Sequence, residues 1–375
     1  MHSFPFCPNS RCRLHMEAPS APWFSKDGFH FTKAFGPVPR FKCHACRKTF
    51  SSQTFALDYY AKKVVDYRDL LGRHRGSMSL RGIGRAMGLN CATVQNRLDR
   101  LARQSLALHA ELRPRARVRE DVCIDGFVSF DVSQFFPSEI AISITAGSRF
   151  VFDLSQATRR RSGTMTRSQK RRAAELYPQV GFERGAVERS FRDLLGSLEA
   201  ERPPEPRHPL VLITDEKKEY ERALRRSALF RDQDGEHRVA QVRVSSRLPR
   251  TFANPLFASN YLDREIRKDQ ANHHRESTCF SRNVANGMSR LALYLVDHNY
   301  RKRYLIKAPP EDRRVHAEVA GIDRGLIERS LRRLFTARVF LSRIRLPPTL
   351  ERIWRKDFVT PLKRGPERLP AYALG

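Results

Sequence analysis

Two short-spaced cysteine pairs near the start of the chain, Cys7-Pro-Asn-Ser-Arg-Cys12 and Cys43-His-Ala-Cys46, constrain what that stretch can fold into more than any other feature. So short a segment buries too little apolar surface to stand alone, and it needs a staple. Four thiolates from two turns suit one tetrahedral ion, and soft sulfur donors favour Zn²⁺. Cys7, Cys12, Cys43 and Cys46 are therefore expected to hold a structural zinc in a ribbon whose strands cover residues 29–35 and 39–42. His44 then reads as a solvated turn residue. Disulfides are disfavoured because residues 1–12 lack the apolar run of a secretory signal, which puts the chain in a reducing, cytoplasmic compartment. Cys91, Cys123 and Cys279 stand alone and read as small core residues.

Charge narrows the partner. Among 375 residues, 70 are Lys or Arg and 40 are Asp or Glu, a net charge of +30, and 56 of the basic residues are Arg. The guanidinium fork matches phosphate, so this excess points to a nucleic acid. A hydrophobic content of 40% with 24 Phe excludes wholesale disorder, and no apolar run is long enough to span a membrane.

Apolar residues recur at helical spacing over residues 55–71, predicting a helix there. The stretch Ser79-Leu-Arg-Gly-Ile-Gly-Arg-Ala-Met-Gly-Leu-Asn90 then reads as a helix-turn-helix. Ser79 and Asn90 are the expected N-caps, and Gly88 permits the turn. Leu80, Ile83 and Met87 would face inward, as would Val94, Leu98 and Leu101 on the second helix. Thr93, Gln95, Asn96, Arg97 and Arg100 would face DNA, helped by Arg81 and by Lys48 of the ribbon. The pattern returns at the other end of the chain. Ala317, Gly321, Ile327, Leu331 and Leu334 repeat the spacing of Gly84, Gly88, Val94, Leu98 and Leu101. This second unit is either another DNA-binding helix pair or a basic helix that serves oligomerisation or clamps DNA.

Between these units the predicted order is βββαβαβα. Strands are expected at residues 122–130, 140–145, 149–154, 210–214 and 238–244, helices at 185–198, at 216–227 and from 260 onward, and a basic loop at 159–172. A meander followed by alternating units implies a mixed sheet flanked by helices. Asp125 lies among apolar neighbours in the first strand, where an acid is costly without a cation. Asp215 closes the fourth strand, where it could also cap the following helix. On adjacent strands the two could share divalent ions.

The order of parts resembles transposases of the insertion-sequence-one type. The resemblance rests on Arg40-Phe-Lys-Cys-His-Ala-Cys-Arg-Lys-Thr-Phe-Ser51, the helix-turn-helix, Asp125, Asp215 and Arg275-Glu-Ser-Thr-Cys-Phe-Ser-Arg282, and covers residues 1 to about 300. It implies a ribonuclease-H-like domain with three acids and two Mg²⁺ ions, which cuts the ends of a mobile element and joins them to target DNA. In that family the third acid is a helical Glu followed three residues later by Asn; here those positions hold Asn260 and Asp263. Asp263, one turn on, is the expected substitute, with Glu265 and Glu276 as alternatives. The implied chain is a multidomain α/β protein: ribbon 1–54, helix-turn-helix 55–112, catalytic domain 119–306 and a basic helical extension 307–375. Its implied partner is double-stranded DNA in the bacterial nucleoid, bound by a homo-oligomer, with no membrane. The rivals are a transposase-derived DNA-binding protein without chemistry and a standalone nuclease.

Overall fold

The computed structural model describes all residues except 1–2, 18, 20–21, 118, 202–208, 228–238, 275–278, 364, 366, 368, 371–372 and 375. After a single helical turn, α1 (Arg13–Met16), the N-terminal segment forms an antiparallel sheet of β1 (Phe24–Thr32), β2 (Gly36–Cys43) and β3 (Thr49–Ser51) in that order. The first two strands are longer than the alternation suggested. Trp23, Phe41 and Phe50 are buried between them, with Trp23 stacked on Phe50 at 5.3 Å and Phe4 edge-on to Phe41 at 4.9 Å.

The helix expected over residues 55–71 starts late. A 3₁₀ turn ends at Phe55, and α2 spans Tyr67–Arg75. Asp66 sets that start by accepting from the N–H groups of Arg68 and Asp69. Upstream, the carbonyls of Leu57 and Tyr59 accept from the Arg100 guanidinium instead of from an intrahelical donor. The next two helices, α3 (Leu80–Met87) and α4 (Cys91–Leu112), begin where the sequence places them. Ser79 accepts from Gly82 N–H, Asn90 accepts from Thr93 N–H, and Gly88 turns the chain with φ +63. Ile83, Val94, Leu98 and Leu101 join Leu70 and Leu71 in one buried cluster, and Leu80 and Met87 pack at its edge.

The main sheet has the order β6-β5-β4-β7-β8. Its strands are β4 (Val122–Phe130), β5 (Pro137–Thr145), β6 (Val151–Thr158), β7 (Leu210–Asp215) and β8 (Val239–Val244). The first three form an antiparallel meander, and β7 and β8 run parallel to β4. Parallel neighbours need crossovers, and helices supply them. Alternation along β4 sends Val122 and Ile124 to one core, with Phe191 and Leu194 of α6 (Ala186–Glu201) and Tyr220 of α7 (Lys218–Arg225). Cys123 and Phe127 enter the other core, with Leu262 and Ile266 of α8 (Phe257–Asp269) and Met288 and Leu291 of α9 (Val284–Tyr300). The basic stretch expected as a loop contains α5 (Arg167–Leu176), opened by a capping box between Thr166 and Gln169.

The C-terminal part carries α10 (His316–Val319), α11 (Arg324–Leu334) and α12 (Pro348–Trp354). It is woven into the centre rather than appended. Leu350, Ile353 and Trp354 of α12 enter the core that holds α8 and α9, and Thr349 donates to the buried Asp153 at 2.5 Å. The second half of α4 is embedded likewise, with Leu106 in one sheet core and Leu112 in the other. Among the described residues, no helix is long and apolar enough to cross a membrane.

Gly84 tests the α3–α4 turn. A Cβ there would lie 2.6 Å from the Leu89 carbonyl oxygen, whereas one at Gly72 in α2 would meet nothing within 4 Å. Gly84→Ala should lower stability by about 1–3 kcal/mol in chemical denaturation. Gly72→Ala should leave it unchanged or raise it by up to about 1 kcal/mol.

Candidate metal and acidic sites

The four N-terminal cysteines meet as expected. Cys7, Cys12, Cys43 and Cys46 put their sulfurs within 4.8 Å of one another, the first three buried. The Sγ atoms of Cys7 and Cys46 are 3.7 Å apart and those of Cys12 and Cys43 are 3.9 Å apart. A tetrahedral zinc with Zn–S bonds of about 2.3 Å requires sulfurs about 3.8 Å apart, so the cluster fits a four-coordinate zinc. Burial pushes the Cys7 and Cys12 thiols up, while the Lys48 backbone and Asn9 side chain, against the same burial, bring Cys46 down to about 7. His44 lies exposed in the second turn. His15 ties the cluster to the C-terminal part: its Nδ1 donates to the Cys7 carbonyl at 2.7 Å and its Nε2 meets Ser342 Oγ at 2.8 Å.

The acidic residues come together by strand register. Cys123 pairs with Ile213 in the parallel β4–β7 ladder, so two residues on, Asp125 and Asp215 lie side by side on the same face of the pleat. Asp125, Asp215 and Asp263 of α8 line one cavity of about 160 Å³, together with Lys217, Arg250, Asn254, Asn260 and Arg267. Burial pushes the Asp125 carboxyl up; Lys217 opposes that shift and Asp215 adds to it. The Asp125 Oδ1 accepts from Gly126 N–H at 2.7 Å. Asp215 does not cap a helix. Its Oδ1 accepts from Lys217 N–H at 3.0 Å in the turn before α7.

Two residues absent from the sequence reading complete this site. The Lys217 ammonium lies 3.2 Å from Asp215 Oδ2 and 3.1 Å from Oε1 of Glu139, a buried acid on β5. Burial alone would lower the Lys217 pKa, but Tyr220, Glu139, Asp215 and Asp125 together raise it, so it stays charged. Arg159 pairs with the other Glu139 oxygen at 3.0 Å. Glu139 shares its strand with a continuous buried run, and that unmatched charge was the available signal. Among the described residues only the cysteines gather three or more metal-ligand atoms closely; at the acidic site Lys217 is the cation in place.

The alternatives for the third acid fare differently. Glu265 is absent from the cavity lining and is bound by Lys302 and Lys268, which against the push of burial hold its carboxyl below the usual range. Glu276 lies outside the described residues, as do Arg275 and Thr278. Helix α8 ends at Asp269, so His273 sits in a separate 3₁₀ turn. It meets Ser129 Oγ at 2.9 Å, and burial pushes it down to about 3.

The expected DNA-facing residues of α4 are corrected most. Arg100 is buried, donating to the carbonyls of Leu57 (3.0 Å) and Tyr59 (2.7 Å), with its guanidinium over the Tyr59 ring. Arg97 is buried as well and donates to the Lys63 carbonyl at 3.2 Å. Thr93, Gln95 and Asn96 are half-buried, and Gln95 accepts from Arg290 at 2.9 Å. Arg81 and Lys48 are exposed. Cys91 and Cys279 are not core residues; both are exposed on a cleft of about 830 Å³ between α4 and the segment 279–283. Cys123 is buried as expected.

No family model matches the chain, and comparison with curated proteins finds no match.

A chelator strong enough to strip zinc should release one ion per chain and red-shift the emission of Trp23, whose ring is buried in the ribbon core. Cys43→Ser should do the same, whereas Cys123→Ser should retain the metal in elemental analysis.

Proposed function

We propose that this chain is a DNA transposase of the insertion-sequence-one type, in which Asp125, Asp215 and Asp263 carry Mg²⁺-dependent cleavage and strand transfer. One observation carries the reading: three carboxylates from distant parts of the chain line the same cavity. The sheet order supports it, because a three-stranded meander followed by two parallel strands, with an acid in the first strand and another ending the fourth, is what a ribonuclease-H-like domain requires. The cysteine ribbon, the α3–α4 pair and the net charge of +30 agree with a protein that works on duplex DNA.

The donor set fits a hard cation, since Asp125, Asp215 and Asp263 offer only carboxylate oxygens. Mg²⁺ held there would activate a water or 3′-hydroxyl and stabilise the leaving oxygen of a phosphodiester. The chain's own groups do the rest. Arg250 and Arg267 line the cavity and would orient a DNA phosphate. Lys217 lies within ion-pair distance of both Asp215 and Glu139 and offsets their mutual repulsion. Asn260, on the helix turn before Asp263, would hold the scissile group by neutral hydrogen bonds.

The Lys217 ammonium, already paired with Asp215, is also what favours a second reading: a transposase-derived protein that binds DNA without cutting it. Nicking assays on the DNA ends of the chain's own element separate the two. The enzyme reading expects Mg²⁺-dependent nicks that fall at least a hundredfold, on the scale of losing one key electrostatic group, in Asp125→Ala, Asp215→Ala and Asp263→Ala, with DNA binding retained. Glu265→Gln should keep activity. Binding with no nicking in the unaltered protein would support the second reading.

Lys217 gives a further check. Lys217→Met removes a competitor for the carboxylates, so calorimetry should find Mn²⁺ bound more tightly, on the order of tenfold. Weaker binding would mean that the ammonium organises the ligands rather than competing with the ion.

A further inference from the structure

The spacing shared by the two ends of the chain is matched by their backbone geometry. In the first unit Gly88 is left-handed with φ +63, and Leu89 N–H donates to the Gly84 carbonyl at 2.8 Å. At the same offset along the chain, Gly321 is left-handed with φ +90, and Ile322 N–H donates to the Ala317 carbonyl at 3.0 Å. Asn90 caps α4 by accepting from Thr93 N–H at 2.7 Å, and Asp323 caps α11 by accepting from Leu326 N–H at 2.8 Å. Val94 and Leu101 are buried, as are their counterparts Ile327 and Leu334. The turn, the cap and the buried face therefore repeat together.

The outward faces differ. On α4, Gln95 is held by Arg290, Asp99 pairs with Lys356 at 2.6 Å, and Arg100 is spent on the carbonyls of Leu57 and Tyr59. Their counterparts on α11, Glu328, Arg332 and Arg333, are exposed, as are Arg324 and Arg329. Arg324 pairs with Glu328 at 3.1 Å and Arg333 with Glu111 at 2.7 Å. Arg329 and Arg332 make no side-chain hydrogen bond or ion pair with described residues. They lie three positions apart on one face, close enough to bridge neighbouring phosphates.

From this contrast we infer that α11, the second helix of the C-terminal unit, is a duplex-DNA contact surface, with Arg329 and Arg332 as its phosphate-binding residues. A capped, amphipathic helix after a left-handed glycine turn is the geometry that lays a helix against DNA, and of the two units it is the C-terminal one whose basic face is open. The inference rests on the duplex-DNA part of the function proposed above and not on its chemistry.

The test uses the full chain without divalent metal and a labelled duplex of mixed sequence. Anisotropy titrations between about 50 and 200 mM salt give affinity and its salt slope. Arg329→Gln/Arg332→Gln should bind on the order of tenfold more weakly, with a slope shallower by about 2, because two fewer counterions are released. Glu328→Gln frees Arg324 and removes the acid from this face, so it should bind several-fold more tightly. This opposite shift cannot arise from a folding defect. Arg171→Gln/Arg184→Gln, removing the same charge elsewhere on the surface, should change affinity less than twofold. An unaltered affinity and slope in the α11 pair, or an equal loss in the control pair, overturns the assignment of α11 while leaving DNA binding intact. Failure of the unaltered protein to bind duplex overturns the DNA reading itself, and loss of nicking alone would touch only the chemistry.

Discussion

The parallel pairing of β4 with β7 is the constraint on which the candidate chemistry depends. Asp125 and Asp215 are distant in sequence, and nothing local brings them together. Pairing Cys123 with Ile213 does, because strand side chains alternate and both acids follow the paired residues by two. A slip of one residue would send one of them to the opposite face, where Val122, Ile124 and Leu212 are buried against α6 and α7. The apolar residues of the two cores thus enforce the register that gathers the acids.

Gathering acids where burial already pushes the Asp125 carboxyl up is costly, and the molecule offsets that cost with fixed cations. Lys217 lies between Asp215 and Glu139, and Arg159 takes the other side of Glu139. The same economy governs α4. Its arginines look like nucleic-acid ligands in the sequence, but Arg100 and Arg97 hold the irregular chain of residues 57–63 in place. Buried backbone carbonyls without helical partners need donors, and an arginine supplies several from one side chain.

Much of this was legible before any coordinates. The Cys7, Cys12, Cys43 and Cys46 cluster, the caps at Ser79 and Asn90, the left-handed turn at Gly88 and the strands of the main sheet follow from spacing, because metal ligation, capping and alternation are local rules. The late start of α2 was hidden because the apolar periodicity of residues 55–66 serves a long-range contact with α4. Helix α5 was masked by its high charge, although its capping box was there to read. Glu139 and Lys217 were missed because each gains meaning only from the other.

The sequence by itself determined the kinds of local unit, the cysteine set and the residues able to act as acids, since each depends on neighbours within a few positions. Tertiary structure decided which acids share a cavity, which arginines are consumed by buried carbonyls, and which of two similar helix pairs keeps its basic face open. Those outcomes depend on packing between segments far apart in the chain, and two stretches with the same local pattern meet different neighbours.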